Sequence, residues 1–278
     1  MREDINRDPN RVINRELRGL EKGSISKKTL ASLFTVFALV SFTSLVHAQP
    51  LEGNWVVTGV EVVESKMVLL NGNLIIRAGG SLTLKNVTLR MNAEQNGQYG
   101  ISVEEGGSMF IYNCSISSTT KNKFSFVAKG SSFVMRNTEL DGVGWCPTQG
   151  DYFLVSHPDE LSHSGLMVMT DNATIEDNIF SGNTVGLVMA GSYLTVARNL
   201  FINNTVMSLF VYYNHDNTVV NNTFLQNPAS FGTCLVQLFC TENNTFLGNT
   251  LNGNITHFFE YRLIQSLGRM DGFNVYVS

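Results

Sequence analysis

Seven windows of one pattern recur along the chain, beginning at Asn86, Asn113, Asn137, Asp177, Arg198, Asn221 and Gly248. Three residues into each stands a large apolar side chain: Leu89, Ile116, Leu140, Phe180, Phe201, Phe224 and Leu251. Two residues before each stands another: Leu84, Ile111, Met135, Ile175, Val196, Val219 and Phe246. A turn cluster precedes that apolar row, as in Gly79-Gly80-Ser81, Gly106-Gly107-Ser108, Gly130-Ser131-Ser132, Asp171-Asn172 and Gly191-Ser192. The spacings are 27, 24, 40, 21, 23 and 27 residues. Period-2 apolar alternation between turn residues at fixed offsets describes short strands. One such unit cannot bury its own apolar face, and parallel stacking of units gives it a continuous core.

The last four windows add two rows of Asn set five residues apart: Asn178/Asn183, Asn199/Asn204, Asn222/Asn227 and Asn249/Asn254. Asn tolerates left-handed backbone, and its amide both donates and accepts, so a corner row of Asn can join successive coils. Gly at the other corner supplies positive φ without steric cost. The competing all-β arrangement, a sandwich with turns at regular spacing, has no need of the same polar residue at every corner. The pattern predicts an all-β chain folded as a right-handed parallel β-helix, a solenoid.

The segments Gly79-Gly80-Ser81-Leu82-Thr83-Leu84 and Asn86-Val87-Thr88-Leu89, with the later Asn-x-Phe coils, resemble the repeats of right-handed parallel β-helix proteins. They are similar to coils of the pectate-lyase-like group and of the periplasmic copper-binding NosD-type group. The opening from Asn54-Trp55-Val56-Val57-Thr58-Gly59 to Gly107-Ser108 also resembles exported archaeal β-helix proteins. The resemblance spans roughly residues 53–255 and speaks for architecture, since many activities share this scaffold. It would bring calcium, held by clustered Asp on adjacent coils in the β-helix lyases, or copper. Neither the acidic cluster nor a defined copper ligand set maps onto this sequence, so no cofactor is expected.

Lys27-Lys28 precede an uncharged stretch, Thr29 to Val46, that ends in Val46-His47-Ala48. A basic flank, an apolar run and a small-x-small site describe a secretory signal cleaved after Ala48; retained, the run would be a single membrane anchor. The expected division is residues 1–48, a cytoplasmic n-region and signal, and 49–278, the β-helix domain, placing the body in a secreted or cell-surface location. Residues 49–278 hold 11 basic and 18 acidic side chains, a net charge of −7. Nucleic-acid binding wants a basic face and is excluded. Export permits disulfides among Cys114, Cys146, Cys234 and Cys240, and Cys234 with Cys240 is the candidate pair by proximity, with free thiols the alternative.

The 40-residue spacing marks an insertion at about 142–166. Insertions in a solenoid lie over one face, often the binding face. This one concentrates aromatic and titratable groups. Trp145, Tyr152 and Phe153 are candidates for stacking on sugar rings. Cys146, His157 and His163 are candidates for a metal, with copper favoured by soft sulfur and imidazole. Met167 and Met169 read as core residues of the following strand. The alternative is a surface loop packed against the solenoid.

Hydrolysis of a polysaccharide needs two carboxyl groups about 5–9.5 Å apart. The weak catalytic candidates are Glu139 with Asp141, which share a strand face, and Asp171 with Asp177. Solvated outward charges are the more ordinary reading. Asn86, Asn113, Asn172, Asn203, Asn221, Asn243 and Asn254 each begin an Asn-x-Ser/Thr triplet. Asn172 and Asn243 are the glycosylation candidates, as predicted outer turns. Residues 53–76 are expected to form the amino-terminal cap or first coil, and Asn274 to Ser278 to be a strand without a partner. The sequence thus points to an exported, non-catalytic β-helix binding carbohydrate or a surface protein along its solenoid face. A polysaccharide lyase or hydrolase, and a copper-handling exported protein, are the alternatives.

Overall fold

The computed structural model describes residues 51–145, 162–225, 235–239 and 241–252, with the backbone of 259–262 and 274–276. Among these residues the chain is a right-handed parallel β-helix. Its strands fall into three sheets, and every pairing between them is parallel. Sheet A runs from Leu51–Glu52 through Thr88–Met91 and Ile179–Ser181 to Asn274–Tyr276. Sheet B runs from Trp55–Val57 through Ser125–Ala128 and Met207–Tyr212 to Phe259–Arg262. Sheet C runs from Val60–Glu64 to Thr245–Leu247. An all-parallel arrangement excludes the sandwich, which is built from antiparallel strands.

The predicted apolar rows are the interior. Leu89, Ile116, Leu140, Phe180, Phe201, Phe224 and Leu251 lie in register on sheet A. Leu84, Ile111, Met135, Ile175, Val196, Val219 and Phe246 do so on sheet C. All are buried. Phe180, Phe201 and Phe224 stack face to face, with ring centroids 4.7 and 4.8 Å apart.

The C-to-A corner explains why the windows start where they do. Asn86, Asn113, Asn137, Asp177, Arg198, Asn221 and Gly248 all have φ between 49° and 64°, and Ser65 (φ 53°) extends the column one coil earlier. Left-handed backbone favours Asn, Asp and Gly. The next residue turns inward: Val87, Cys114, Thr138, Asn178, Asn199, Asn222 and Asn249 are all buried. The two properties expected of one corner Asn are therefore divided between neighbours, an exposed left-handed residue and a buried hydrogen-bonding one.

The buried row is a continuous ladder. Asn178 N–H donates to Asn199 Oδ1, Asn199 N–H to Asn222 Oδ1 and Asn222 N–H to Asn249 Oδ1, each at 2.9 Å. Each amide Nδ2 also donates back to the preceding coil, as Asn199 does to the carbonyl of Ile175 at 2.9 Å. The same scheme reaches down through Thr138, whose N–H donates to Asn178 Oδ1, and Cys114, whose N–H donates to Thr138 Oγ1. Asn183 and Asn204 repeat it at the A-to-B corner, with Val143 N–H donating to Asn183 Oδ1 at 2.8 Å. Asn227 and Asn254 lie outside the described residues. A third row, Asn217 and Asn244, closes the B-to-C corner. It stands five residues before Asn222 and Asn249, so the same period would have revealed it.

The six described triplet asparagines, Asn86, Asn113, Asn172, Asn203, Asn221 and Asn243, are all exposed with φ near 55°. Asn172 and Asn243 are not distinguished among them. A left-handed corner Asn, one inward residue and a Thr or Ser opening the strand account for the triplets. Two further expectations are corrected. Asn274–Tyr276 pairs with Thr250–Asn252, so it does not lack a partner. Met167 points away from the interior, because the in-register strand Gly165–Val168 gives Leu166 and Val168 to the core and Met167 to a second cluster. Met169 is exposed.

Candidate functional site

The insertion leaves the solenoid at the A-to-B corner. Gly142 (φ 76°) and Gly144 (φ 80°) bracket buried Val143. Trp145 N–H donates to the His163 carbonyl at 2.6 Å, closing the neck. The Trp145 and His163 rings lie 5.1 Å apart at 34°, and the indole rests on Gly97, where a Cβ would come 2.2 Å from the ring. Trp145 Nε1 and His163 Nδ1 are both buried with no hydrogen-bond partner among the described residues.

Lys123 braces the same neck. Its Nζ donates to Thr184 Oγ1 at 3.0 Å, and that hydroxyl donates to the Gly144 carbonyl at 2.5 Å. Burial pushes the Lys123 ammonium down to about 8, and the carboxylate of Asp141 opposes the shift in part. Two sequence candidates from rival readings, Trp145 and His163, are thus brought together, with Asp141 close to the lysine. Cys146, Tyr152, Phe153 and His157 lie outside the described residues, as do Cys234 and Cys240. Lys123 was missed, because its partner Thr184 is 61 residues away.

The carboxylates have varied surroundings. Glu139 and Asp141 project outward on either side of core Leu140, Glu139 exposed and Asp141 half-buried. Asp171 Oδ1 accepts the Ser192 N–H at 2.8 Å. Asp177 receives a bidentate pair from Arg198 at 2.7 and 2.8 Å, which holds its carboxyl below the usual range. Glu176 bridges Arg136 and Arg198 at 3.2 and 3.5 Å. The Asp177 carboxyl, held ionised by Arg198, is poorly suited to donate a proton.

The outer side of sheet B differs from the other two. Met167, Val185, Val188, Met207 and Phe210 form a buried apolar cluster there, bordered by half-buried Val127, Tyr212 and Phe239. Strands apolar on both faces read as unbroken hydrophobic runs, as in Val185-Gly-Leu-Val-Met189 and Leu209-Phe-Val-Tyr-Tyr213. The runs end in an aromatic strip. Tyr212 stacks on Phe239 at 5.7 Å and 12°, Tyr213 meets both rings edge-on, and Phe210 flanks Tyr212 at 5.4 Å.

Among the described residues no three His, Cys, Asp or Glu side chains converge on a point suited to a metal. His163 stacks on Trp145, His215 pairs with Asp216, and Met167 and Met207 lie in the apolar cluster. These donors do not fit a copper site. Cys114 is a free buried thiol whose ionisation burial pushes up.

Residues 153–261 match the family model described as periplasmic copper-binding protein (NosD). No curated protein matches the chain. Among solved structures, the periplasmic alginate epimerase AlgG is similar at 11% identity over 82% of this chain and 77% of that one, with a TM-score of 0.42. A double-substitution variant of the same enzyme gives 12% identity, the same coverage and the same score.

Proposed function

We propose that this chain is an exported, non-catalytic β-helix that binds carbohydrate on its outer surface. Export is supported by the basic flank, apolar run and small-x-small site at residues 27–48 and by the description of the matching family as periplasmic. The observation that carries the binding reading is the aromatic strip of exposed Tyr213 and half-buried Tyr212 and Phe239, backed by buried Phe210, on the outer side of sheet B. Aromatic faces pack on the apolar faces of sugar rings, while nearby polar groups take the hydroxyls. The carboxylates engaged by Arg198, Arg136 and Ser192 support binding over hydrolysis.

The test is thermal unfolding of the purified protein against neutral, uronate and amino-sugar polysaccharides and Cu²⁺. A ligand present at 100 times its dissociation constant adds about 2.7 kcal/mol to a protein that binds it only when folded. A rise in Tm with a glycan, without release of reducing ends or unsaturated products, is the expected result. Turnover of a glycan moves the chain to the lyases or hydrolases, and a rise with Cu²⁺ alone moves it to the metal-handling class.

A further inference from the structure

The asparagines of this chain divide by what their side-chain amides do. In the buried rows both ends are engaged: Asn178 Oδ1 accepts the Thr138 N–H while its Nδ2 donates to the Met135 carbonyl. Half-buried Asn71 and Asn73 behave alike, as Asn71 Nδ2 donates to Glu52 Oε1 and its Oδ1 accepts from Asn92 Nδ2. None of these begins an Asn-x-Ser/Thr triplet. The triplet asparagines Asn86, Asn113, Asn172, Asn203, Asn221 and Asn243 are the reverse. All are exposed, left-handed (φ 53–58°) and without a side-chain hydrogen bond among the described residues. The corner does not need their amides, since Asp177, Arg198 and Gly248 take the same conformation at equivalent positions. Six amides thus face outward with no structural duty.

Their surroundings differ. Asn86 and Asn113 are in register, because Thr88 pairs with Ser115, and stand about 4.8 Å apart. A pyranose on one occupies the space a second would need. Asn203 follows Gly182 in register, and Asn221 precedes Gly248, so each has a neighbour without a side chain. On the other side of Asn221, Arg198 is drawn to Asp177 and Glu176 of the coil before. Asn172 and Asn243 end the left-handed B-to-C column Asn172, Tyr193, Asp216 and Asn243, three strand spacings or about 14 Å apart. The middle residue of every triplet is buried: Val87, Cys114, Ala173, Asn204, Asn222 and Asn244. An enzyme that grips the whole triplet therefore needs it before its coil closes.

We propose that these asparagines accept N-linked oligosaccharide during export: Asn172, Asn203, Asn221 and Asn243 singly, and Asn86 or Asn113 but not both on one molecule. Asn Nδ2 attacks the anomeric carbon of an oligosaccharide carried on a polyprenyl phosphate, the donor, which the exporting membrane supplies. The C–N bond forms as the bond from that carbon to the phosphate oxygen breaks. The phosphate leaves with the electron pair, and the amide gives up one proton. A bulky polar group on an outward corner of an exported chain costs the core nothing. The proposal rests on the export part of the proposed function and is independent of sugar binding by the aromatic strip.

The experiment takes the protein from cytoplasmic and exported fractions of the cells that make it and locates oligosaccharide by peptide mass spectrometry. The expected result is modified Asn172, Asn203, Asn221 and Asn243 in the exported fraction and unmodified Asn137. That residue is equally exposed and left-handed but has Glu139 two positions on, so it is the internal control. Asn203→Gln removes the mass of one oligosaccharide, and Asn86→Gln raises the occupancy of Asn113. An exported protein with the bare polypeptide mass overturns the modification and leaves export standing. Full occupancy of Asn86 and Asn113 together overturns their exclusion, and oligosaccharide on Asn137 overturns the role of the triplet. Protein confined to the cytoplasm overturns export and the modification with it.

Discussion

At the scale of single residues, the corner ladder makes side-chain chemistry do what backbone does elsewhere. Removing the Asn199 side chain leaves the Asn178 N–H without its partner and takes away the Nδ2 bonds to the Ile175 carbonyl and to Asn222 Oδ1. A buried unsatisfied group costs about 1–3 kcal/mol, so Asn199→Ala lowers stability by about 2–4 kcal/mol in urea titration. Cys114 sits in the same row, accepting the Val87 N–H at 3.5 Å and donating to the Tyr112 carbonyl at 3.2 Å. Thr138 performs the same two bonds one coil later. Cys114→Thr is therefore near neutral, whereas Cys114→Val, which leaves the Val87 N–H unpaired, costs about 1–2 kcal/mol. Lys123 gives a pH signature. Below pH 8 its buried charge is a penalty on the native state; between about 8 and the ordinary 10.5 the unfolded chain holds a proton that the native state has released. The unfolded state then binds more protons, so stability rises with pH. Lys123→Met is accordingly more stable than wild type at pH 7, by about 3 kcal/mol at most, and the difference closes by pH 10.5. Equal stabilities at pH 7 would remove the burial argument.

At the scale of elements, the interior of sheet A is a column of rings. Phe201 stacks on both neighbours, so Phe201→Ala costs about 3–5 kcal/mol. Phe201→Leu costs less than half of that, because Leu140 and Leu251 already occupy this row in register. These rows were legible in the sequence because window start, inward turn and strand have fixed offsets at the C-to-A corner. Asn217 and Asn244 keep a fixed offset too, four residues before the window starts Asn221 and Gly248, but the two preceding coils carry Ala173 and Leu194 there, so the row has only two members. The outward side of sheet B was written in unbroken apolar runs, yet period-2 reasoning assigned Met167 to the interior. Lys123 and the Trp145–His163 neck had no local signal; their partners come from coils far along the chain. Tyr193 was detectable only by aligning it with Asn172, Asp216 and Asn243, where its type is the exception.

At the scale of the molecule, each coil touches only its neighbours, and stability is a sum over adjacent pairs. Leu84→Ala and Phe224→Ala, on widely separated coils, should add to within about 0.5 kcal/mol, whereas Phe201→Leu and Phe224→Leu, whose rings touch, should not. Equal coupling in both pairs, measured by double-mutant cycles in urea, would contradict a nearest-neighbour solenoid. The corner ladders add a direction to this chain of neighbours. Along the buried Asn rows the N–H of one coil is satisfied by a side chain of the coil that follows it in sequence, whereas other corner N–H groups, those of Gly100 and Ser192, are satisfied by Asn73 and Asp171 of the coil before. The Asn amides then reach back to carbonyls of the earlier coil. A chain emerging amino end first therefore presents, at each Asn row, an unfinished rim that the newly delivered coil completes. In these rows the order of synthesis and the order of closure are the same, since each buried N–H waits for the Asn of the next coil.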